Sequence, residues 1–458
     1  MGLIAFGLGF TACNTNDDDM PIIEKGEKAK VSVRVAVNRQ ATRLAGDLSG
    51  IGTNASGLVE EARIHSLEAW VFNADGTLDG YGNSIEFLLE MPEKTPTEFP
   101  YISNIPATAG IGKQLVVAAN TNIGEVGINN LADLKAKFAT LTENDTPPDI
   151  AKKIGLPMTS LIISGIELLE GENLFGPAAG THHDPVFSKN ANPVKVNGVE
   201  VTGALLLTRL HARVALVGLD YDFMEEMTQE TPKFDRFVLK EVAMFNVREQ
   251  SKFLSDATGR ILHGTVNNFL WGKAYPPLTD AYVNTGSATA SLLQKFVAND
   301  ALDAHDAILH ARTLVNATNA HYFYVFENDA TSGGNKTSTG ANMKGTYFVL
   351  AGELWLGEPG AGGTKLTDPL FVDPETGFTF YTIFVNGDRA NYDFGLGGAG
   401  VFDKANGIGD NNLYRNTQYN LSVTLKHAGQ PTVGIENAFL DVVVEVAEWA
   451  VVGQTIVF

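Results

Sequence analysis

The chain reads as an all-β protein with minor helices, built as two β-sandwich domains in tandem. Three observations predict this. Apolar and polar residues alternate in many short runs, the period that a half-buried strand needs. Turns rich in Gly, Asn and Asp separate those runs. Helical periodicity is too sparse to supply the helix after most strands that a parallel α/β fold requires.

The bulk numbers narrow the function classes. At 458 residues the chain exceeds a single compact core, so two or three domains are expected. Hydrophobic residues make up 44% and charged residues 19%, enough apolar material for sizeable cores. The net charge of -20 argues against nucleic acid or an anionic membrane surface as partner, because both need positive patches. Cys13 is the one cysteine, so no disulfide can form within the chain and the fold must rest on packing. No apolar run approaches the roughly 20 residues of a spanning helix.

Taken in order, the first element is a short apolar stretch at residues 3–10, followed by Phe10-Thr11-Ala12-Cys13. Small residues before a cysteine, after an apolar run, resemble a bacterial lipobox, in which the thiol of Cys13 is acylated. Two details depart from that pattern. No basic residue precedes the apolar stretch, and Phe10 stands where Leu is usual. The polar run Asn14-Thr15-Asn16-Asp17-Asp18-Asp19 suits a solvated spacer. Lipid chains at Cys13 would hold the protein at a membrane.

The first strand is Val31-Ser32-Val33-Arg34-Val35-Ala36-Val37, with Val31, Val33, Val35 and Val37 on one face. Arg39 and Arg43 follow in a polar, small-residued stretch that should be exposed and cleavable. Further strands are expected at 64–72, 114–119, 204–219, 237–245, 321–326, 346–356, 378–385, 418–425 and 440–446. Helices are expected at 130–138, where Asn130 caps apolar residues spaced by three and four, and at 290–299 and 303–314. Residues 175–197, rich in Gly, Pro, Asn and His, read as a linker, which puts the domain boundary near 198. The last strand also alternates: Ala438, Leu440, Val442, Val444 and Val446 share a face, with Asp441 and Glu445 opposite.

Motifs that carry chemistry are few. Residues 395–400 match G-x-G-x-x-G, but no apolar strand leads in and no helix follows, so a loop is the better reading. His182-His183-Asp184 lacks further ligands at metal spacing and reads as surface loop. His305 and His310 do not share a helical face, whereas Asp306 and His310 do. Asn73-Ala74-Asp75-Gly76-Thr77-Leu78-Asp79 offers oxygens for calcium, yet a hairpin turn uses the same residues and is preferred. No nucleophile-elbow, zincin or phosphate-loop signature occurs, and no enzyme, cofactor or metal is expected. Trp70, Trp271, Trp355 and Trp449 are candidates for sugar stacking, but Trp70, Trp355 and Trp449 lie in strand patterns that suit a core.

The carboxyl end carries a specific resemblance. Tyr414-Arg415-Asn416-Thr417-Gln418-Tyr419 opens one strand, and the valine-rich run from Leu440 ends in Val446-Ala447-Glu448-Trp449 and Val452-Gly453-Gln454. This resembles FimA-type major fimbrillins, the shaft subunits of type V pili from Bacteroides-like bacteria. Weaker similarities lie at Ala69-Trp70-Val71-Phe72-Asn73, at residues 115–121, at Arg209-Leu210-His211-Ala212-Arg213 and at Phe326-Glu327-Asn328-Asp329. Residues 220–320 match poorly.

The resemblance implies two transthyretin-like sandwiches and an outer-membrane lipoprotein precursor lipidated at Cys13, with residues 1–13 as signal peptide. Residues 14–43 would then be a leader holding a removable first strand (Val31, Val33, Val35, Val37). An arginine-specific, trypsin-like protease would cut after Arg43 or, as second choice, Arg39. The domains would run 44–198 and 199–458. The donor strand at 438–452, with Leu440, Val442, Val444, Val446 and Trp449, would fill the groove of a neighbouring copy. Partners implied are identical subunits, minor fimbrial subunits, the protease and a possible host-surface receptor, in an extracellular fimbrium. The open alternatives are a minor tip or anchor adhesin and a glycan-binding surface lipoprotein.

Overall fold

In a computed structural model of the chain, the structure describes residues 26–37, 63–84, 100–141, 155–177, 191–223, 234–245, 247–254, 269–271, 289–290, 294–296, 313–315, 321–328, 346–386, 412–432 and 440–448. Nearly all of its regular secondary structure is strand. The first unit holds β1 (Lys28–Val37), β2 (Leu67–Phe72), β3 (Leu78–Ser84), β4 (Tyr101–Thr108) and β5 (Gly110–Ala119). After them come helix α1 (Leu131–Lys135), β6 (Phe138–Thr140), β7 (Met158–Thr159), β8 (Ile163–Leu168), β9 (Gly171–Phe175) and β10 (Asn192–Pro193). The unit ends with β11 (Lys195–Val196), β12 (Val199–Glu200) and β13 (Leu205–Arg209).

Alternation decides which face each strand buries. Val31, Val33 and Val35 of β1 meet Ile102 and Ile105 of β4, Leu67, Ala69 and Val71 of β2, and Leu115, Val117 and Ala119 of β5 in one core. The opposite face of β2 and β5 presents Trp70, Phe72, Val116 and Ala118, which pack beneath Leu131 and Leu134 of α1. Asn130 caps α1 as expected, accepting from the Asp133 N–H at 3.0 Å while the Asp133 carboxylate accepts from the Asn130 N–H. The helix ends sooner than its pattern suggested, because Phe138 is drawn into β6. Gly80 sits where a Cβ would lie 1.6 Å from the Pro106 carbonyl oxygen, so only glycine lets β3 cross so close to β4.

The second unit begins with β14 (His211–Tyr221), β15 (Arg236–Phe245), β16 (Val247–Arg248) and β17 (Gln250–Lys252). Short strands β18 (Phe269–Trp271), β19 (Thr289–Ala290), β20 (Gln294–Phe296) and β21 (Thr313–Val315) follow. It closes with β22 (His321–Phe326), β23 (Tyr347–Leu356), β24 (Thr364–Lys365), β25 (Thr379–Phe384), β26 (Thr417–Leu425) and β27 (Leu440–Glu448). One sheet runs β21-β14-β26-β27, with β22 also on β14; the other runs β20-β15-β23-β24, with β25 on β23. Val214, Tyr419, Leu421 and Val423 from the first sheet share a core with Phe237, Leu239, Leu354 and Tyr381 from the second, which makes a sandwich.

Two expectations are corrected. The single run expected at 204–219 is two strands: β13 ends at Arg209 in the first unit and β14 opens the second, so the chain changes sheet at Leu210. Where the helix expected at 290–299 is described, the residues are strand instead: 289–290 and 294–296, with β20 paired to β15. Cross-strand pairing overrides local helix propensity there. Of the helix expected at 303–314, only 313–314 are described, and they belong to β21.

Candidate strand-exchange site

The first strand occupies a particular place in the first unit. Residues 28–34 of β1 run antiparallel to β4, from Lys28 opposite Thr108 to Arg34 opposite Tyr101. On the other side, Ala29 to Val33 run parallel to Gly171–Phe175 of β9. Val35, Ala36 and Val37 then pair in parallel with Leu205, Leu206 and Leu207 of β13. Among the described residues, β4, β9 and β10 reach the rest of the ladder only through β1. This strand therefore joins two halves of the hydrogen-bonded framework.

Its side chains match that position. Val33 and Val35 are fully buried and Val31 is 3% exposed, while Val37 packs part-buried against the same core. Three buried valines contribute roughly 5–9 kcal/mol before ordering costs. The strand is bonded at its ends as well: the Ala109 N–H donates to the Glu27 carbonyl at 2.7 Å and the Val35 N–H to that of Pro100 at 2.8 Å. Taken away, β1 would leave an apolar groove flanked by unpaired backbone of β4, β9 and β13.

The last strand lies in its own unit. β27 runs antiparallel to β26 through nine register pairs, from Thr417 opposite Glu448 to Leu425 opposite Leu440. Leu440, Val442, Val444 and Val446 stand opposite Leu425, Val423, Leu421 and Tyr419, all of them core residues of β26. Among the described residues β26 is its one ladder partner, so β27 is an edge strand.

Between the two units lies a buried polar corner that sequence reasoning did not assign. Arg209, at the end of β13 and wholly buried, donates to Asn416 Oδ1 at 3.0 Å. The Asn416 N–H donates to the His211 carbonyl at 2.8 Å, and Asn416 takes a left-handed φ of 53°. Arg415 donates from Nη2 to the Lys252 carbonyl at 2.8 Å, from Nη1 to the Phe253 carbonyl at 3.2 Å and from Nε to Glu327 Oε2 at 3.3 Å. Ser251 Oγ donates to Glu327 Oε1. The Thr159 hydroxyl, on β7, donates to the Phe253 carbonyl at 2.7 Å. Residues 250–252 (β17) pair with β6 of the first unit. Burial holds Glu327 above the ordinary carboxylate range against the opposing pull of Arg415, and burial lowers Arg415 against the pull of Glu327. The motifs quoted for the family resemblance (Arg209 to His211, Glu327 to Asn328, Arg415 to Asn416) thus converge here. Their signal was a set of charged residues inside apolar strand patterns.

His211 adds an acid-sensitive element. It is 1% exposed, its ring lies 4.6 Å from that of Phe326, and neither ring nitrogen has a hydrogen-bond partner. Burial, with Arg415 close by, lowers its pKa from 6.5 to about 3. The unfolded chain therefore binds a proton that the folded chain refuses, so stability is full above pH 6.5 and falls as the pH drops toward 3. His211→Phe should remove that loss. In urea titrations the variant should gain roughly 3 kcal/mol on wild type between pH 7 and pH 4. An offset independent of pH would refute the assignment.

Other expected sites separate clearly. Residues 73–77 form a hairpin turn, with Gly76 N–H donating to the Asn73 carbonyl and Asp75 accepting from the Thr77 N–H and hydroxyl. Asp79 is engaged by Lys113 at 2.9 Å and by Thr108. Trp70 is fully buried and cannot stack on a sugar; Trp355 is half-buried and donates to Glu353. Cys13, Arg39, Arg43, His182, His183, Asp184, residues 395–400 and Trp449 lie outside the described residues. So do the side chains of Leu440, Val442, Val444 and Val446, placed here by register alone.

Comparison with known proteins follows this geometry. The family model for the major fimbrial subunit protein (FimA) matches residues 29–209, from the second residue of β1 to the last residue of β13. The major fimbrium subunit FimA type-2 of Porphyromonas gingivalis is 23% identical over 99% of this chain and 97% of that protein. A crystal structure of a fimbrilin (FimA) from P. gingivalis W83 superposes with a TM-score of 0.62 at 21% identity, covering 94% of this chain and all of that one. A putative cell adhesion protein from Parabacteroides distasonis gives a TM-score of 0.57 at 17% identity, over 93% of this chain. The resemblance to FimA-type fimbrillins read from the sequence is upheld, and the all-β fold is that of a fimbrilin.

Proposed function

We propose that this FimA-type chain is a structural subunit of a cell-surface fimbria, not an enzyme, and that it polymerises by exchanging strands. The precursor is exported as an outer-membrane lipoprotein acylated at Cys13 and cut after Arg43, or failing that Arg39. The leader carrying β1 leaves. The terminal strand of a neighbouring copy, residues 438–452, then enters the vacated groove. Its partners are copies of itself, minor fimbrial subunits, an arginine-specific protease and a host-surface receptor.

One observation carries this reading. Among the described residues, the strand the scheme discards is the one through which β4, β9 and β10 join the framework, and it buries three valines. A groove so formed is apolar and lined by open backbone edges, which a strand of alternating valines satisfies by β-augmentation. The candidate donor is an edge strand, which can leave its sheet without tearing the interior. Replacing both Arg39 and Arg43 with Ala should yield folded, lipidated monomers and no ladder of polymer on a denaturing gel. Polymer from the double variant would refute the cleavage step.

A further inference from the structure

The leader groove and the terminal strand are joined by a short chain of contacts. β1 pairs with Leu205, Leu206 and Leu207 of β13; the other described partner of β13 is β7, which it meets at only two pairs, Thr208 with Thr159 and Arg209 with Met158. The ends of both strands point at one corner. Arg209 of β13 bonds Asn416, and Thr159 of β7 shares the Phe253 carbonyl with Arg415. Arg415 and Asn416 lead directly into β26. The first pair of that strand, Thr417 with Glu448, holds the carboxyl-side end of β27.

We propose that the Arg209–Asn416 corner senses whether the leader groove is filled and sets how tightly β27 is held. The inference rests on the strand-exchange reading and adds its order of events. With β1 in place, β13 is clamped along Leu205–Leu207 and its Arg209 anchors the start of β26. When β1 leaves, β13 keeps two described ladder pairs, Arg209 loses its fixed position, and β26 loosens where it holds Glu448. β27 then peels from Glu448 inward. The two-state element is β27, paired or released, and the groove biases it. A subunit with an empty groove therefore offers its own strand, and an uncut precursor withholds it.

Hydrogen exchange read by mass spectrometry on the full chain, at dilutions where it stays monomeric, tests this. Three states are compared: intact, protease-nicked with the leader removed, and intact Val33→Asp, which expels β1 without cleavage. Amides of residues 417–425 and 440–448 should exchange about tenfold faster in the last two states, while residues 347–356 of the opposite sheet hold as control. Arg209→Gln, with the leader in place, should reproduce the rise, and nicking should then add little. Arg209→Lys, which keeps the charge, covers the case in which Gln unfolds the corner. Unchanged exchange in 417–425 and 440–448 after leader loss overturns the coupling, even if filaments form. Faster exchange without filaments upholds the coupling and refutes strand exchange instead.

Discussion

A chain ended before Leu440 should fold, accept protease cleavage, and form no filaments. It loses β27 but keeps β14 beside β26 through eight register pairs, so the second sandwich retains its central pairing. Tyr419, Leu421, Val423 and Leu425 still face Phe237, Leu239 and Tyr381 across the core. The first unit is untouched, so in the proposed scheme its groove would open on cleavage all the same. Such a subunit can receive a strand but not give one. Mixed in small amounts with full-length chain, it should therefore shorten filaments in electron micrographs by capping one end, with mean length falling as its share rises. A truncation that destroyed the fold would leave filament length unaffected. Filaments grown from the truncated chain alone would remove the donor strand from the scheme.

What the sequence disclosed follows from which signals are local. The face of β1 was legible because period-two alternation records which side of a strand is buried, whatever its partner. Val31, Val33 and Val35 show it in the core itself. Residues 204–219 show the limit. The buried positions shift from odd (Leu205, Leu207, Arg209) to even (Ala212, Val214) around Leu210, but a phase slip of one residue reads equally well as a bulge within one strand and does not say that the partner changes from β1 to β26. β3 and β4 escaped notice because Gly80, Gly82 and Pro106 weaken the strand pattern, yet those residues permit the close crossing. The corner between the units was illegible for a different reason. Arg209, Glu327 and Arg415 are separated by more than 80 residues from one another, and charge within a strand pattern does not say which charge it meets. Only the fold brings Arg415 and Glu327 together.

That corner should also respond most strongly to a single substitution. Side chains of Arg415 and Glu327 are 4% and 5% exposed, so each relies on the other and on nearby oxygens and hydroxyls for its solvation. Glu327→Ala should cost about 3–5 kcal/mol in urea unfolding, because it strands a buried guanidinium. Glu327→Ala combined with Arg415→Met should recover much of that loss. The methionine removes the stranded charge at similar volume, and the Phe253 carbonyl still accepts from Thr159. The residual deficit then covers the bonds the pair gives up to the Lys252 and Phe253 carbonyls and to Ser251, each on the order of 1 kcal/mol. If the double variant were as unstable as the sum of its parts, the pair would not be coupled and its burial would need another cause. Recovery would mean that the ion pair adds little net stability and that its value lies in geometry. It fixes Arg415 against residues 252–253, and so fixes Asn416 where Arg209 can reach it.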